Sequence, residues 1–404
     1  MKIVVLKFGG TSVGTIAKIK KVAEIIKQYR KKKFSVIVVS SAMSGVTNGL
    51  IKKSKNISSD FVSHEYDTLV SSGEQVACSL IAGRLNHLGI KSRSWMAWQI
   101  PIITSGQYKN SRIVKIYTNK IIRYLKENGV PVITGFQGIN NNNRVTTIGR
   151  GGSDASAILL AKYFKAKRCI IYTDVEGVFT TDPNKLKKAK KINVISYEEM
   201  LEMASLGAKV MQPVSIQDAR LNRIDVEVKS SFKNKSGTLI TKKSNISNNK
   251  IITGITSTNN DAKVTLIGVK DKPGVAASIF KPLSKNQINV DMVVQNISAN
   301  GKETDLTFTI KSEDLIKTKK IIEQNRDINF RKLLLKKDVS KISIIGVGMV
   351  TTPGVTFRMF QSLARKKINI QVISTSEIKI SVIIDRKNIK KALLALHKEF
   401  NLNK

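Results

Sequence analysis

Across 404 residues there are only two cysteines, Cys78 and Cys169, and three histidines, His64, His87 and His397. Each cysteine sits inside an apolar run, which argues against a disulfide framework and for buried free thiols in a reducing cytoplasm. The histidines are scattered and lack metal-ligand spacing, so no protein-held metal site is expected. No apolar run approaches the roughly 18 residues of a membrane span. The first one, Ile3–Leu6, is too short for the core of a signal peptide, and no membrane partner is expected. Acidic residues are scarce as well: 29 against 69 basic, a formal charge of +40. That imbalance raises nucleic-acid binding as one reading. Yet the basic residues are spread along the whole chain, as in KIKK, RKKK and KLKKAKK, with no aromatic-rich basic repeat or other nucleic-acid module. An AT-rich coding bias toward Lys, Asn and Ile is the preferred reading, with no nucleic-acid partner. The charge should still attract anionic metabolites. The chain also has no G-x-x-x-x-G-K-[ST], no H-R-D loop and no G-x-G-x-x-G, so if it transfers phosphate it does so without those devices.

What is present is order. A hydrophobic fraction of 41% supports real cores, and the length suggests two or three domains. IVVL (3–6), SVIVVS (35–40), VPVIT (130–134), CIIYT (169–173) and IDVEV (224–228) read as strands, several apolar throughout, as for parallel strands covered on both faces. Between them run helical stripes: Ile16, Ile19, Val22, Ala23 and Ile26, then Val76, Leu80, Ile81, Leu85 and Leu88. Ser196 and Glu199 form a capping box, and Gly207 suits the end of that helix. The alternation predicts a layered α/β domain with a mostly parallel sheet over residues 1–235. A polar Asn/Ser/Lys stretch, 236–250, follows as a linker. Beyond it the sequence repeats. KVTLIGVKDKPGVAASIF begins at Lys263 and KISIIGVGMVTTPGVTFRMF at Lys341; Pro273 and Pro353 are 80 residues apart, as are Asn289 and Asn369. Each copy reads strand, Pro-Gly turn, amphipathic helix, strand. Two α+β units are expected, 251–340 and 341–404, with strand 251–256 a candidate for sharing with the second.

Four stretches could carry chemistry. KFGGTS (7–12) ends a strand in a cation, and Gly9-Gly10 lets a ligand approach the backbone ahead of a helix N-terminus, which together would suit a phosphate; an ordinary strand-to-helix turn also favours glycine. TTIGRGGSDASAILLA (146–161) repeats the logic, with Gly149, Gly151 and Gly152 as loop, Ser153 or Asp154 as cap and Arg150 as a planar cation for carboxylate or phosphate. In IIYTDVEGVFTTDP (170–183), Asp174 and Asp182 could bind or simply turn the chain. In GAKVMQP (207–213), Lys209 sits at a helix end, where dipole compensation is the usual explanation, and Pro213 opens the next helix.

Together with SSAMSGVTN (40–48), SSGEQVA (71–77) and TGFQG (134–138), these ordered blocks resemble the amino acid kinase family, and within it the aspartate kinase branch, over essentially the whole chain. The C-terminal duplication resembles paired ACT domains. No fused homoserine dehydrogenase is expected after residue 404. The resemblance implies transfer of the ATP γ-phosphate to the β-carboxylate of L-aspartate, giving 4-phospho-L-aspartate, the first step toward lysine, threonine and methionine. ATP with Mg²⁺ would be the cofactor, the ion riding on the nucleotide. By resemblance the catalytic residues are Lys7, Asp154 and Lys209. ATP would meet Lys7, Phe8, Gly9, Gly10, Thr173, Asp174, Phe179, Thr180, Thr181, Asp182, Pro183 and Lys209. Aspartate would meet Ser41, Thr47, Glu74, Arg150, Gly151, Gly152 and Ser153, with Glu74 on its ammonium and Arg150 on its α-carboxylate. Feedback by lysine, threonine or both would act at Asp271, Pro273, Gly274, Gln295, Asn369, Ile370, Thr375 and Ser376. The family's assemblies imply a homo-oligomer, or an α2β2 form with a shorter in-frame ACT-containing subunit. Asn184 departs from the pattern, which often has arginine after Asp-Pro. Kinases of glutamate, acetylglutamate or uridylate fit less well, because of the ACT pair and the RGGSD and SSGE blocks. A non-catalytic amino-acid sensor is disfavoured by the retained Lys7, Asp154 and Lys209.

Overall fold

In a computed structural model the described residues are 1–149, 151–208, 210–243, 250–297, 303–325 and 328–403. They form two units, residues 1–179 with 191–248, and residues 180–190 with 249–404. Among the described residues no helix is long and apolar enough to cross a membrane.

The first unit follows the alternation of the sequence. In chain order it contains β1 (Ile3–Phe8), α1 (Ile16–Lys31), β2 (Ser35–Ser40), α2 (Val46–Ile57), α3 (Ser63–Val70), α4 (Ser72–His87), β3 (Ser92–Trp95), β4 (Ile102–Thr104), β5 (Ile113–Ile116) and α5 (Asn119–Lys126). Then come β6 (Val130–Thr134), β7 (Gln137–Ile139), β8 (Val145–Thr147), α6 (Gly152–Tyr163), β9 (Arg168–Thr173), β10 (Val194–Ser196), α7 (Tyr197–Ser205), α8 (Pro213–Asn222), β11 (Val226–Ser230) and β12 (Thr238–Thr241). Eight strands make one sheet in the order β10-β12-β11-β9-β1-β2-β6-β3. Every pairing in it is parallel except β11 with β12. Central β1 is buried at all six positions, as expected for a strand whose apolar run Ile3–Leu6 is covered on both faces. A smaller sheet, β5-β4-β7-β8, stands apart.

Three details differ from the sequence pattern. TLIT, inside the polar stretch read as a linker, is strand β12 and pairs with both β11 and β10. Of the expected stripe Val76, Leu80, Ile81, Leu85 and Leu88, helix α4 buries Ile81 and Leu85 and half-buries Leu88, but Val76 and Leu80 are exposed. Its buried face is completed by Gly73, Glu74, Ala77, Cys78 and Ala82, whose mostly small side chains let the helix pack closely. Ile16, at the first position of α1, is also exposed, while Ile19, Val22, Ala23 and Ile26 are buried. The Ser196–Glu199 capping box forms as expected, and Pro213 opens α8.

The second unit contains β13 (Gly254–Lys270), α9 (Val275–Lys285), β14 (Val293–Ile297), β15 (Glu303–Lys311), α10 (Leu315–Gln324), β16 (Lys332–Ile345), α11 (Val355–Ala364), β17 (Val372–Ser376), β18 (Lys379–Asp385) and α12 (Ile389–Glu399). Its six strands run β14-β15-β13-β16-β18-β17, a symmetric order about the long β13/β16 pair. Those two strands serve both repeats. Residues 254–258 pair with 341–345, and residues 263–267 pair with 332–336, across a register shift near Asp261. Accordingly Ile252 and Ile255 lie in the second repeat's core with Ile342, Ile344 and Val382, while Val264 and Leu266 lie in the first with Leu306 and Phe308. Gly274 and Gly354 cap α9 and α11 with left-handed backbones, which explains the glycine of each Pro-Gly turn.

Candidate active site

Parallel strands bring their carboxyl ends to one edge, and in open α/β sheets ligands bind there. Here that edge carries Lys7–Phe8 from β1, Ser40–Ser41 after β2, Thr134–Gly135 after β6, Thr173–Asp174 after β9 and Ser230–Ser231 after β11. The turns beyond the strands knit into one structure. The amide of Gly9 donates to Tyr172 O at 3.0 Å, and Ser231 Oγ to Ser12 Oγ at 2.6 Å. Ser44 N donates to Gly10 O at 3.1 Å, and a Cβ on Gly10 would come within 2.9 Å of Ala42 O, so that position tolerates only glycine.

Lys7 ends the central strand, and its ammonium lies 2.5 Å from Asp154 Oδ1, in the first turn of α6. The contact is an ion pair too oblique to count as a hydrogen bond. Both residues are 8% exposed, so the pair is shielded from water and opens onto the loop edge. Gly9 has already spent its amide on Tyr172, so donation to a phosphate falls to Gly10 and Thr11, whose amides have no partner among the described residues. Helix α1 begins only at Ile16, and its Lys18 amide is held by Thr15. Its N-terminus is therefore not the immediate continuation of Gly9-Gly10 that the motif suggested.

Glu74 lies in the first turn of α4 and is 3% exposed. One oxygen accepts from Ala42 N at 3.1 Å, and the other is buried without a partner among the described residues. Burial pushes its carboxyl up to about 7, against the pull of the Ala42 amide. Ser153 is buried beside Gly135, where a Cβ would approach Ser153 Cβ to 2.9 Å, and Gly135 N donates to Ser40 O. Thr47 lies half-buried in the first turn of α2. Gly151 has φ 78° and would drive a Cβ into Gln212, while its carbonyl accepts from Ser215; the GAKVMQP stretch thus runs beside RGGSD. Lys209 and Arg150 themselves lie outside the described residues.

One expected group is divided. Phe179 belongs to the first unit, but Thr180, Thr181, Asp182 and Pro183 belong to the second. Thr180 is buried there with its hydrogen-bonding groups taken. Its hydroxyl is 3.0 Å from His397 Nε2 and accepts from Lys190 N, and its carbonyl accepts from Ile255 N. Asp182 accepts from Asn184 N, a turn in its own right. Thr180 is therefore not available to a nucleotide. The effector candidates also separate. Asp271, Pro273, Gly274 and Gln295 belong to the first repeat, with Gln295 on edge strand β14; Asn369, Ile370, Thr375 and Ser376 belong to the second, with Thr375 and Ser376 on the opposite edge strand β17. Five strand spacings, roughly 24 Å, lie between those edges. Among the described residues no cluster of His, Cys, Asp and Glu could hold a metal ion.

A model of the Amino acid kinase family matches residues 2–230, and an ACT domain model matches residues 264–325 and 342–400. An aspartate kinase of Pseudomonas putida is 44% identical over all of this chain and 98% of its own length. Aspartokinase 2 of Bacillus subtilis is 40% identical over all of this chain and 99% of its own. Among solved structures, E. coli aspartokinase III in complex with lysine and aspartate has a TM-score of 0.82, at 24% identity, over 99% of this chain and all of that one; it speaks for the fold. The aspartate kinase of Synechocystis has a TM-score of 0.56 at 35% identity, over 98% of this chain and 69% of that one. The chain belongs to the aspartate kinases of the amino acid kinase family, phosphotransferases with a carboxyl acceptor whose kinase domain is followed by regulatory ACT domains.

Proposed function

We propose that L-aspartate lies at the carboxyl edge of the large sheet with its ammonium on Glu74 and its α-carboxylate on Arg150, so that its β-carboxylate faces Lys7. The observation that carries this reading is the unpartnered oxygen of Glu74. A buried carboxylate oxygen with no donor is costly, and a substrate ammonium would supply the missing donors. Ser41, Thr47 and Ser153 add hydrogen bonds, with Gly151 and Gly152 shaping the loop.

The nucleophile needs no base, because a β-carboxylate with a pKa near 4 is ionised at neutral pH. The obstacle is repulsion between that carboxylate and the γ-phosphate. Lys7, fixed by Asp154, faces the transferring group, and the amides of Gly10 and Thr11 receive its oxygens as charge shifts toward the leaving ADP. By resemblance, Lys209 neutralises the nucleotide phosphates. Thr173, Asp174 and Phe179 line the nucleoside. Mg²⁺ bound with the ATP phosphates would supply charge neutralisation.

Lysine is carried over as an effector from the aspartokinase III complex, with threonine as a second candidate. With Gln295 and Thr375 on opposite edges, a pocket using both requires a second ACT-bearing chain, either another copy or a shorter ACT-only subunit. Both cysteines are buried free thiols, in keeping with a reducing cytoplasm. The test is an aspartyl-hydroxamate assay on Arg150→Lys, which keeps charge but loses the bidentate fork. The KM for aspartate should rise about 10- to 100-fold, with that for ATP unchanged; an unchanged aspartate KM would remove Arg150 from the reading.

A further inference from the structure

Asp67, in α3, is fully buried and, among the described residues, makes no ion pair. Its carboxylate is nevertheless saturated. It accepts from Lys109 N at 2.9 Å, from Thr147 N at 2.8 Å and from Thr147 Oγ1 at 2.8 Å. These donors sit on two chain segments that are themselves joined, since Ser111 N donates to Thr147 O at 2.8 Å. Lys109 adopts a left-handed backbone, φ 65°, uncommon for a residue with a side chain. The neighbouring Asn110 lies where a Cβ on Gly149 would be, 2.6 Å from its Oδ1.

The hydrogen bonds close a ring. Asp67 O accepts from Ser71 N, Ser71 O accepts from Gln137 Nε2 at 3.0 Å, and Gln137 pairs in register with Thr147, which returns to the Asp67 carboxylate. Glu74 follows Ser71 by three residues on α4, and Thr147, at the end of β8, leads through Gly149 to the candidate loop Gly151–Ser153. The ring therefore holds the start of α4, with Glu74, against the end of β8.

We propose that Asp67 is a positioning residue for the amino-acid substrate, holding Glu74 at the start of α4 against the end of β8 through the ring Asp67–Thr147–Gln137–Ser71. This rests on the assignment of Glu74 and Arg150 to the two ends of aspartate. A buried carboxylate serves because it accepts several N–H and O–H donors at once. Its amide isostere can keep most of the ring: the Asn oxygen accepts from both backbone amides while the NH₂ donates to Thr147 Oγ1, which rotates to accept. Alanine keeps none of it.

The experiment measures KM for aspartate and for ATP on Asp67→Ala, Asp67→Asn and Arg150→Lys, with thermal melts with and without aspartate. Asp67→Ala is expected to raise the aspartate KM tenfold or more, leave the ATP KM within twofold, and shrink the aspartate-induced rise in Tm; Asp67→Asn should recover most of the loss. If Asp67→Ala does not fold, Thr147→Val, which removes only the hydroxyl contact, should show the same selectivity at smaller size. Unchanged aspartate KM in a folded variant, or equal rises in both KM values, would overturn the positioning role. If Arg150→Lys raises the aspartate KM and the Asp67 variants do not, only the ring falls; if Arg150→Lys changes nothing, the clamp and the ring fall together.

Discussion

The two units each hold a shielded lysine beside an aspartate, and the pairs mean different things. In the parallel sheet, Lys7 and Asp154 are both nearly buried, with side chains 10% and 12% exposed, and they sit at the edge where every central strand ends. In the antiparallel sheet, Lys341 is 6% exposed but its partner Asp291 is 51% exposed, and the pair lies within a duplicated, symmetric structure. Parallel strands collect their carboxyl ends on one side, so five separate chain segments can converge on one reaction. An antiparallel, doubled sheet instead distributes equivalent positions to opposite edges. On the proposed reading, the first arrangement gathers substrate and nucleotide groups at one edge, while the second separates the effector candidates Gln295 and Thr375 onto opposite edges.

The sharpest way to break this comparison is Lys7→Met, which keeps the buried stem and removes the charge. Loss of a preorganised charge facing the transferring group should lower kcat by about 10²- to 10³-fold or more, with near-native circular dichroism. Turnover within a few-fold of wild type would make Lys7–Asp154 a structural pair like Lys341–Asp291.

Thr375→Ile probes the other unit. It adds bulk and removes a hydroxyl on edge strand β17. Uninhibited kcat should stay close to wild type, while the lysine or threonine concentration for half-inhibition rises by about 5- to 100-fold, the range of ordinary allosteric coupling. Superimposable inhibition curves for variant and wild type would show that this edge does not bind the effector.

The parallel sheet was largely legible because its signals are local. IVVL, SVIVVS and VPVIT announce strands buried on both faces, and Gly10, Gly151 and Gly274 mark close approaches or left-handed turns that favour glycine. The duplication was legible from the 80-residue offset of Pro273 and Pro353. What could not be seen depends on non-local packing. Nothing in VFTTDP shows that Thr180 is held by His397, 217 residues away. Asp67 lies in an unremarked SHEYDTLV, and its role emerges only when Thr147 and Lys109 fold onto it. The burial of α4 was misread because a helix packed through Ala77, Cys78 and Ala82 carries little hydrophobic contrast.

Glu74 supplies a pH test confined to the first unit. With its carboxyl raised to about 7 by burial, a growing share of the enzyme is protonated below neutrality, and a neutral acid holds an ammonium poorly. The value of kcat/KM for aspartate should climb with pH through about 7 and level above it, approaching tenfold per pH unit on the acid side. Glu74→Gln should lower kcat/KM throughout and abolish that limb. A Glu74→Gln profile parallel to wild type would move the titration to another group.

The smallest effect belongs to the second unit and to stability. His397, in α12, is 2% exposed and lies 3.0 Å from Thr180 Oγ1. Burial lowers its pKa below the ordinary 6.5. The neutral ring is therefore the form the folded state prefers, while the unfolded chain takes up a proton near pH 6.5. A group with a depressed folded pKa of this kind favours unfolding as the pH drops below the unfolded value, because the unfolded state then binds the extra proton. Stability from this residue should be intact at pH 7.5 and decline below about 6.5, by at most ~1.4 kcal/mol for each pH unit until the folded ring also titrates. His397→Gln offers Thr180 an uncharged partner and should flatten this part of the curve. Urea denaturation at pH 7.5, 6.5 and 5.5 reads the difference directly, since only its change with pH matters. Equal pH dependence in variant and wild type would show that the His397–Thr180 contact is indifferent to protonation.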